Sequence, residues 1–430
     1  MQDTSSIDID LSAIDHNMAA VRRAVGDACA LCPIVKADAY GLGVGRVARR
    51  LVSAGAAMLA VYSLRQAIET AAAVNGAAPV LVLMPVTDLP REDELVRLMI
   101  AGQLHLTVHD MPGLAALDAA ARMHGVRLPI HLEIDVGMSR GGAAPEEVGR
   151  ILRMIDGNPA FELAGIYAHF SHSRFDEQRT RAQHEVYERT IEANRRYVPA
   201  HVLEHVASTY ALARSGEYHR SMVRFGLAWL GYGLDELEAD SPVLSRQELR
   251  PVVRWTSSIV QARTVVAGTS VGYGGRWTAE RDSTIALVPV GYADGWPAPR
   301  HAGAGTQFVS IEAPDGRLVH APVVGAVNMD QITIDVTGLH AGDVRDWIGC
   351  EVELVSRDPM APNHLPRLAA QSGIIVHELL TRMNPRIART TSLGSGSIPG
   401  PMPVSIEVLA SARASLDGQA PAFRANAAAG

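Results

Sequence analysis

Lys36 is the only lysine in a chain whose other basic side chains are arginines. It ends a short apolar run in Ile34-Val-Lys-Ala-Asp-Ala-Tyr-Gly-Leu-Gly43. An amine at the rim of an apolar strand is poorly solvated, which favours its neutral form, and the neutral amine is the nucleophile of Schiff-base chemistry. The ordinary alternative is a surface lysine whose stem lies along apolar neighbours. Thr209 and the turn Arg224-Phe-Gly-Leu227 are candidates for an anion cradle, because Gly226 lets backbone N–H groups come close to a phosphate. His169, in Tyr167-Ala-His-Phe-Ser-His172, is a candidate proton handler, against the commoner reading of a hydrogen-bonded core histidine. Cys29-Ala-Leu-Cys32 has C-x2-C spacing but no second pair, so two buried thiols are favoured over zinc. Gly272-Tyr-Gly-Gly275 lacks the Lys and Ser/Thr of a phosphate-binding loop.

These residues need a scaffold, and the pattern from about residue 11 to 245 supplies one. β-rich runs at 31–35, 58–62, 80–84, 104–108, 129–135, 163–168, 202–207 and 222–229 alternate with amphipathic segments. Ser12 is the expected cap of the first helix, in which Leu11, Ile14, Met18, Val21 and Val25 recur at helical spacing. Eight strands alternating with about eight helices predict a (β/α)8 barrel, with a doubly wound open sheet as the competitor. In such a barrel, polar groups just past the strand C-termini converge on one site. That rule selects Lys36, Asp38 and Tyr40 after the first strand, Arg140 after the fifth, His169 after the sixth, Ser208 and Thr209 after the seventh and Arg224 at the eighth.

From 246 to 390 the texture changes to β-rich runs at 257–266, 284–290, 308–311, 331–336 and 351–356, separated by Gly, Asp and Pro. This predicts a mostly antiparallel β domain, with helical periodicity returning only near Leu365. Residues 391–430 are rich in Gly, Ser, Pro and Ala, faintly helical only at 404–416, and read as a mobile tail. The 430 residues are 47% hydrophobic and 20% charged, enough to fill a large core. A formal charge of −7, with no basic block, argues against nucleic acid as a partner. No apolar run reaches membrane-spanning length, no signal peptide is visible, and three cysteines make no disulfide framework, so a cytoplasmic location is expected.

Val35-Lys-Ala-Asp-Ala-Tyr-Gly-Leu-Gly43 strongly resembles the pyridoxal-phosphate lysine motif of alanine racemases. The resemblance continues, in order, through His131-Leu-Glu-Ile-Asp-Val-Gly-Met-Ser-Arg140, Gly165-Ile-Tyr-Ala-His169, Met222-Val-Arg-Phe-Gly226, Val271-Gly-Tyr-Gly274, Val290-Gly-Tyr-Ala-Asp-Gly295 and Asn328-Met-Asp-Gln331, covering roughly residues 7 to 390. It implies a homodimer in which residues 1–10 form a strand joining the β domain, and in which each site is completed by the partner's β domain. It implies pyridoxal 5'-phosphate held covalently by Lys36, its phosphate bound by Tyr40, Thr209 and the Gly226–Leu227 backbone, its pyridine nitrogen facing Arg224, and His169 beside the ring. Arg140 would bond the phenolic oxygen and the substrate. Lys36 and Tyr273 of the partner subunit would be the two bases of racemisation, and the Met329 backbone N–H would hold the substrate carboxylate, beside Asp330. An always-protonated Arg224 would leave the pyridine nitrogen unprotonated and the ring a weaker electron sink. The implied activity is interconversion of L- and D-alanine, as for peptidoglycan supply.

Three positions depart from the family pattern. Glu133 stands where relatives often carry a carbamylated lysine, and it is expected to orient Arg140. Arg382 is aligned with a phosphate-contacting tyrosine and is expected to bind phosphate. Ala326 replaces an arginine of the access corridor. The last two changes keep a broad-specificity lysine, arginine or serine racemase in view. A non-enzymatic vitamin B6 carrier and a fold-related decarboxylase are the readings from other classes.

Overall fold

The computed structural model describes residues 4–234, 243–299 and 305–393. The first strand, β1 (Ser5–Asp10), runs directly into a helix, Leu11–Val25. The cap is Asp10 rather than Ser12: its Oδ1 accepts the N–H groups of Ser12 at 2.9 Å and Ala13 at 3.1 Å. The helix therefore starts two residues earlier than a Ser12 cap implies, and Ser12 lies inside its first turn.

Eight strands follow: β2 (Ala30–Pro33), β3 (Leu59–Val61), β4 (Val80–Pro85), β5 (Leu104–Val108), β6 (Leu128–Ile134), β7 (Phe161–Ala168), β8 (Leu203–His205) and β9 (Met222–Phe225). Neighbours from β3 to β8 pair in parallel, and β2 pairs in parallel with β9. The ring closes at two seams. Val35 N–H donates to the Ala60 carbonyl at 2.8 Å, and Arg224 N–H to that of Ala207 at 3.0 Å. An open doubly wound sheet has no such closure, so that alternative is set aside. All seven residues of β6 are buried, as parallel strands covered on both faces require. The outer layer is amphipathic: helix Pro145–Asp156 buries Val148, Ile151, Leu152 and Ile155, one stripe at helical spacing.

The expected strand at 222–229 ends at Phe225. Gly226 turns the chain into a one-turn helix, Leu227–Leu230, and Gly231 closes it at φ 82°. Apolar content alone does not distinguish a buried strand from a buried helical turn. Cys32 lies in a small apolar cluster with Met58, Ala60, Leu81 and Met222, whereas Cys29 belongs to the main core. Both thiols are free, and burial pushes them up to about 12 and about 11 respectively.

The second unit contains β10 (Val253–Ser258), β11 (Gln261–Val265), the short pair β12 (Ser270–Val271) and β13 (Trp277–Thr278), β14 (Ser283–Val288), β15 (Phe308–Glu312), β16 (Leu318–Val324), β17 (Ile332–Asp335), β18 (Glu351–Val355) and β19 (Ala388–Ser392). One nine-stranded sheet runs β11-β14-β17-β16-β15-β18-β10-β1-β19. β1 lies antiparallel to β10 and parallel to β19. The expected single run at 257–266 is two strands far apart in the sheet. At Ile259 the chain still bonds Cys350, but Val260 N–H already donates to Leu287, so it changes partners between adjacent residues. β16, with no clean alternation, went unnoticed in the sequence. The tail expected from 391 starts too early, because Thr391 and Ser392 pair with β1 as the end of β19; residues 394–430 lie outside the described residues.

Candidate active site

The C-terminal end of β2 leads into an unusual turn. Ala37, Asp38, Ala39 and Tyr40 all have φ between 53° and 58°, four successive left-handed residues of which none is glycine. Each costs about 1–2 kcal/mol relative to the right-handed region. Strain of this kind persists only where contacts overdetermine it, and it concentrates at functional sites. Here Asp38 Oδ1 accepts Val44 N–H at 2.7 Å, Gly43 N–H donates to the Asp38 carbonyl at 3.0 Å, and Arg389 Nε donates to the Gly41 carbonyl at 3.1 Å. The turn sets Lys36 at the barrel mouth and sends Tyr40 inward, where it is 4% exposed.

Lys36 opens toward solvent, yet burial by the surrounding rim, and then the charge of Arg140, lower its pKa. Both causes favour the free amine. The Tyr40 hydroxyl fills the space in front of Gly226, where an added Cβ would stand 2.2 Å from it. The Tyr40 ring packs against Trp229 at 6.0 Å, and Trp229 Nε1 donates to the Ile34 carbonyl at 3.0 Å, so the β2 and β9 exits brace each other. Thr209 begins a short helix, Thr209–Arg214, and its hydroxyl accepts Ala228 N–H at 3.3 Å. Tyr40 and Thr209 thus both pack on the turn that runs through Gly226, Leu227 and Ala228.

Arg224 is 5% exposed. Its Nη1 donates to the His205 carbonyl at 2.6 Å and meets His205 Nδ1, and its Nη2 donates to the Ala168 carbonyl at 2.9 Å. Its Nε makes no bond among the described residues. His169, next to Ala168, has its pKa lowered to about 3 by burial, then by Arg224, Arg140 and Lys36. It is therefore a neutral imidazole at the mouth.

Five other expected residues lie elsewhere in this chain. Tyr273 is 78% exposed in the turn between β12 and β13. Ala326 lies under that turn, its N 3.3 Å from where a Cβ of Gly272 would sit. Met329 is exposed, and Asp330 pairs with Arg386 at 3.1 Å, which is itself held by buried Asp294 at 2.8 Å. Arg382 pairs with Glu378 at 2.8 Å, one turn away on its own helix, Val376–Arg382. From that helix it is His377 that reaches the mouth: its ring lies 5.6 Å from Tyr40, and burial, then Lys36 and Arg174, lower its pKa to about 4. Sequence reading missed His377, and no local signal marks it; only the packing of the helix against the left-handed turn brings it there. The expected Glu133–Arg140 contact is also absent among the described residues. Arg140 is exposed, and Glu133 Oε2 instead accepts the Tyr167 hydroxyl at 3.0 Å and stands 3.4 Å from His109 Nδ1. Tyr167 and His205 were missed too. Their signal is alternation: Tyr167 shares a strand face with His169, and polar inward positions on buried strands stand out.

The signature described as alanine racemase, N-terminal domain, matches residues 9–233, and that of alanine racemase, C-terminal domain, matches residues 252–391. The chain belongs to the alanine racemase family. An alanine racemase of Geobacter sp. (strain M21) is 32% identical over 398 residues, 90% of this chain and 98% of that one. The crystal structure of alanine racemase from D-cycloserine-producing Streptomyces lavendulae matches with a TM-score of 0.79 at 25% identity, over 93% of this chain and 98% of that one. The Bartonella henselae alanine racemase with covalently bound pyridoxal phosphate shares the fold, with a TM-score of 0.73 at 23% identity over 91% of this chain and 100% of that one. Family membership through both domains sets aside the B6 carrier, which resembles the barrel alone, and the decarboxylase.

The neutral histidines of the barrel and its mouth make stability depend on pH. His105 is lowered to about 4, His169 to about 3 and His377 to about 4, and His131 and His205 lie well below 6.5, all mainly through burial. Below pH 6.5 the unfolded chain takes up these protons while the folded one does not, so stability falls as pH drops from 6.5 toward 4. The urea midpoint should be nearly flat above pH 7 and decline between 6.5 and 5, where carboxylates hardly titrate. A constant midpoint over that interval would contradict the neutral state of these histidines.

Proposed function

We infer that this chain is a pyridoxal-phosphate-dependent alanine racemase, acting in the cytoplasm as a homodimer and supplying D-alanine for peptidoglycan. The observation that carries the reading is the sole lysine, its pKa lowered, on a strained turn beside a cradle of Tyr40, Thr209, Gly226 and Leu227. These residues fit the cofactor. The space in front of Gly226 excludes any side chain, and Arg224 keeps one donor, Nε, without a bond among the described residues. Lys36 would hold the aldehyde, the cradle the phosphate and Arg224 the pyridine nitrogen. When bound, the cofactor supplies an electron sink that acidifies the Cα–H bond of an amino acid joined to it.

The remaining work falls to the chain's own groups. Lys36 Nζ, favoured as the free amine, takes or returns a proton on one face. Tyr273 of the partner subunit does so at Oη on the other face; its 78% exposure in the single chain suits a side chain that serves a neighbour. Arg140 places substrate at the mouth beside Lys36, and neutral His169, within electrostatic reach of Arg224, Arg140 and Lys36, packs beside the ring. Met329 N–H and Asp330 of the partner subunit complete the substrate end. Among the described residues no helix is long and apolar enough to cross a membrane. A chiral assay over the common amino acids tests the reading. Alanine should turn over fastest; fast lysine, arginine or serine with slow alanine would transfer the assignment to a broad-specificity racemase, and no turnover at all would refute it.

A further inference from the structure

A buried guanidinium needs a counter-charge, and Arg224 touches no carboxylate directly among the described residues. Its closest polar partner is a line of histidines. Arginine can only donate, so His205 Nδ1 accepts from Arg224 and the ring proton sits on Nε2. His205 Nε2 lies 2.9 Å from His131 Nδ1, and His131 Nε2 lies 2.9 Å from His105 Nδ1. Each neutral ring must therefore donate away from Arg224, and all the tautomers follow from the first contact. This ladder fixes the guanidinium with dipoles but brings it no negative charge.

The nearest anion comes through Tyr167. The Tyr167 ring stacks on His205 at 4.8 Å with 14° between planes, and the Arg224 guanidinium carbon sits 4.6 Å from the same ring. The Tyr167 hydroxyl donates to Glu133 Oε2 at 3.0 Å, and Glu133 is 7% exposed. The other contact of Glu133, His109 Nδ1, accepts Gly142 N–H at 2.8 Å and so donates no hydrogen bond to the carboxylate. Burial lowers the Arg224 pKa, and Tyr167 and then Glu133 lead the groups that oppose it.

We propose that Glu133 is the counter-charge of Arg224, relayed through the Tyr167 hydroxyl and ring, and is not a brace for Arg140. Glu133 is a positioning residue: it keeps a charged Arg224 in place at the floor of the site, and a hydrogen bond from Tyr167 holds it there with no modification of a lysine. Its meaning for the cofactor ring rests on the proposed function, but its physical content does not.

Thermal-melting cycles on the purified protein test it. Glu133→Gln should lower Tm by several degrees, and by less than half as much in an Arg224→Met or a Tyr167→Phe background, because contacting groups couple. In an Arg140→Gln background the full shift should persist. Arg140 is exposed, so that arm stays readable even if Arg224→Met fails to fold. In racemisation, Glu133→Gln should lower kcat about 10–100-fold with KM for alanine changed less than about threefold. Additivity with Tyr167→Phe, coupling to Arg140→Gln, or a change confined to KM would each overturn the proposal. The melting cycles need no turnover, so an inactive protein would sink the racemase reading and leave this result standing.

Discussion

Replacing Lys36 with leucine should reduce racemisation by at least about 10⁴ while leaving the melting temperature unchanged or slightly raised. The kinetic half of this follows from composition: no other lysine exists to take over either the covalent bond to the aldehyde or proton transfer on that face. A positioned base alone is worth on the order of 10²–10⁴, and loss of the covalent anchor adds to it. The stability half follows from the site. Burial and Arg140 both disfavour the Lys36 ammonium, so the folded protein gains nothing from that charge. The strained turn begins at Ala37 and is held by Asp38, Gly41 and Gly43, none of which needs the lysine side chain. The measurement is a chiral assay of D-alanine formation beside a melting curve. Retention of more than about a hundredth of the native rate would remove Lys36 from the chemistry.

How much of this was legible beforehand depends on the range of the interactions. The barrel was legible because eight apolar runs alternate with helical stripes, and the rule that strand ends converge then nominated Lys36, Tyr40, Arg140, His169, Thr209 and Arg224. The structure brings those residues to one mouth. Errors arose where identical composition serves different backbones. The run through Trp229 is apolar throughout, and only the turn at Gly226 separates strand from helix. In the run at 257–266 the chain changes sheet partners between Ile259 and Val260, with no composition break to announce it. Residues whose role is set by distant packing were not legible. His377 reaches Tyr40 from a helix more than 330 positions away, as does the Arg389 bond to the Gly41 carbonyl. Glu133 was noticed, but the charge it serves was misjudged: nearness in the motif pointed to Arg140, whereas strand alternation turns Glu133 toward Tyr167 inside the barrel.

Tyr273→Phe should lower turnover by about 10²–10⁴, in line with the loss of one of two bases, and should leave cofactor binding intact. Phenylalanine keeps the ring and removes only the hydroxyl, so a packing role would predict little change. The sharper expectation concerns mixing. Suppose each site takes Lys36 from one chain and Tyr273 from the other. A dimer of one Lys36→Leu chain with one Tyr273→Phe chain then has one site lacking both groups and one site complete. Random reassociation of the two inactive proteins makes half the dimers mixed, and should restore about a quarter of native activity per chain. Were the hydroxyl supplied within its own chain, every site in the mixture would lack one base and no activity would return. The exposure of Tyr273, with no bond or ion pair to Lys36 or Arg140 among the described residues of its own chain, favours the first outcome. Recovery after mixing, measured with each variant alone as the baseline, distinguishes a shared site from a self-contained one without reference to any relative.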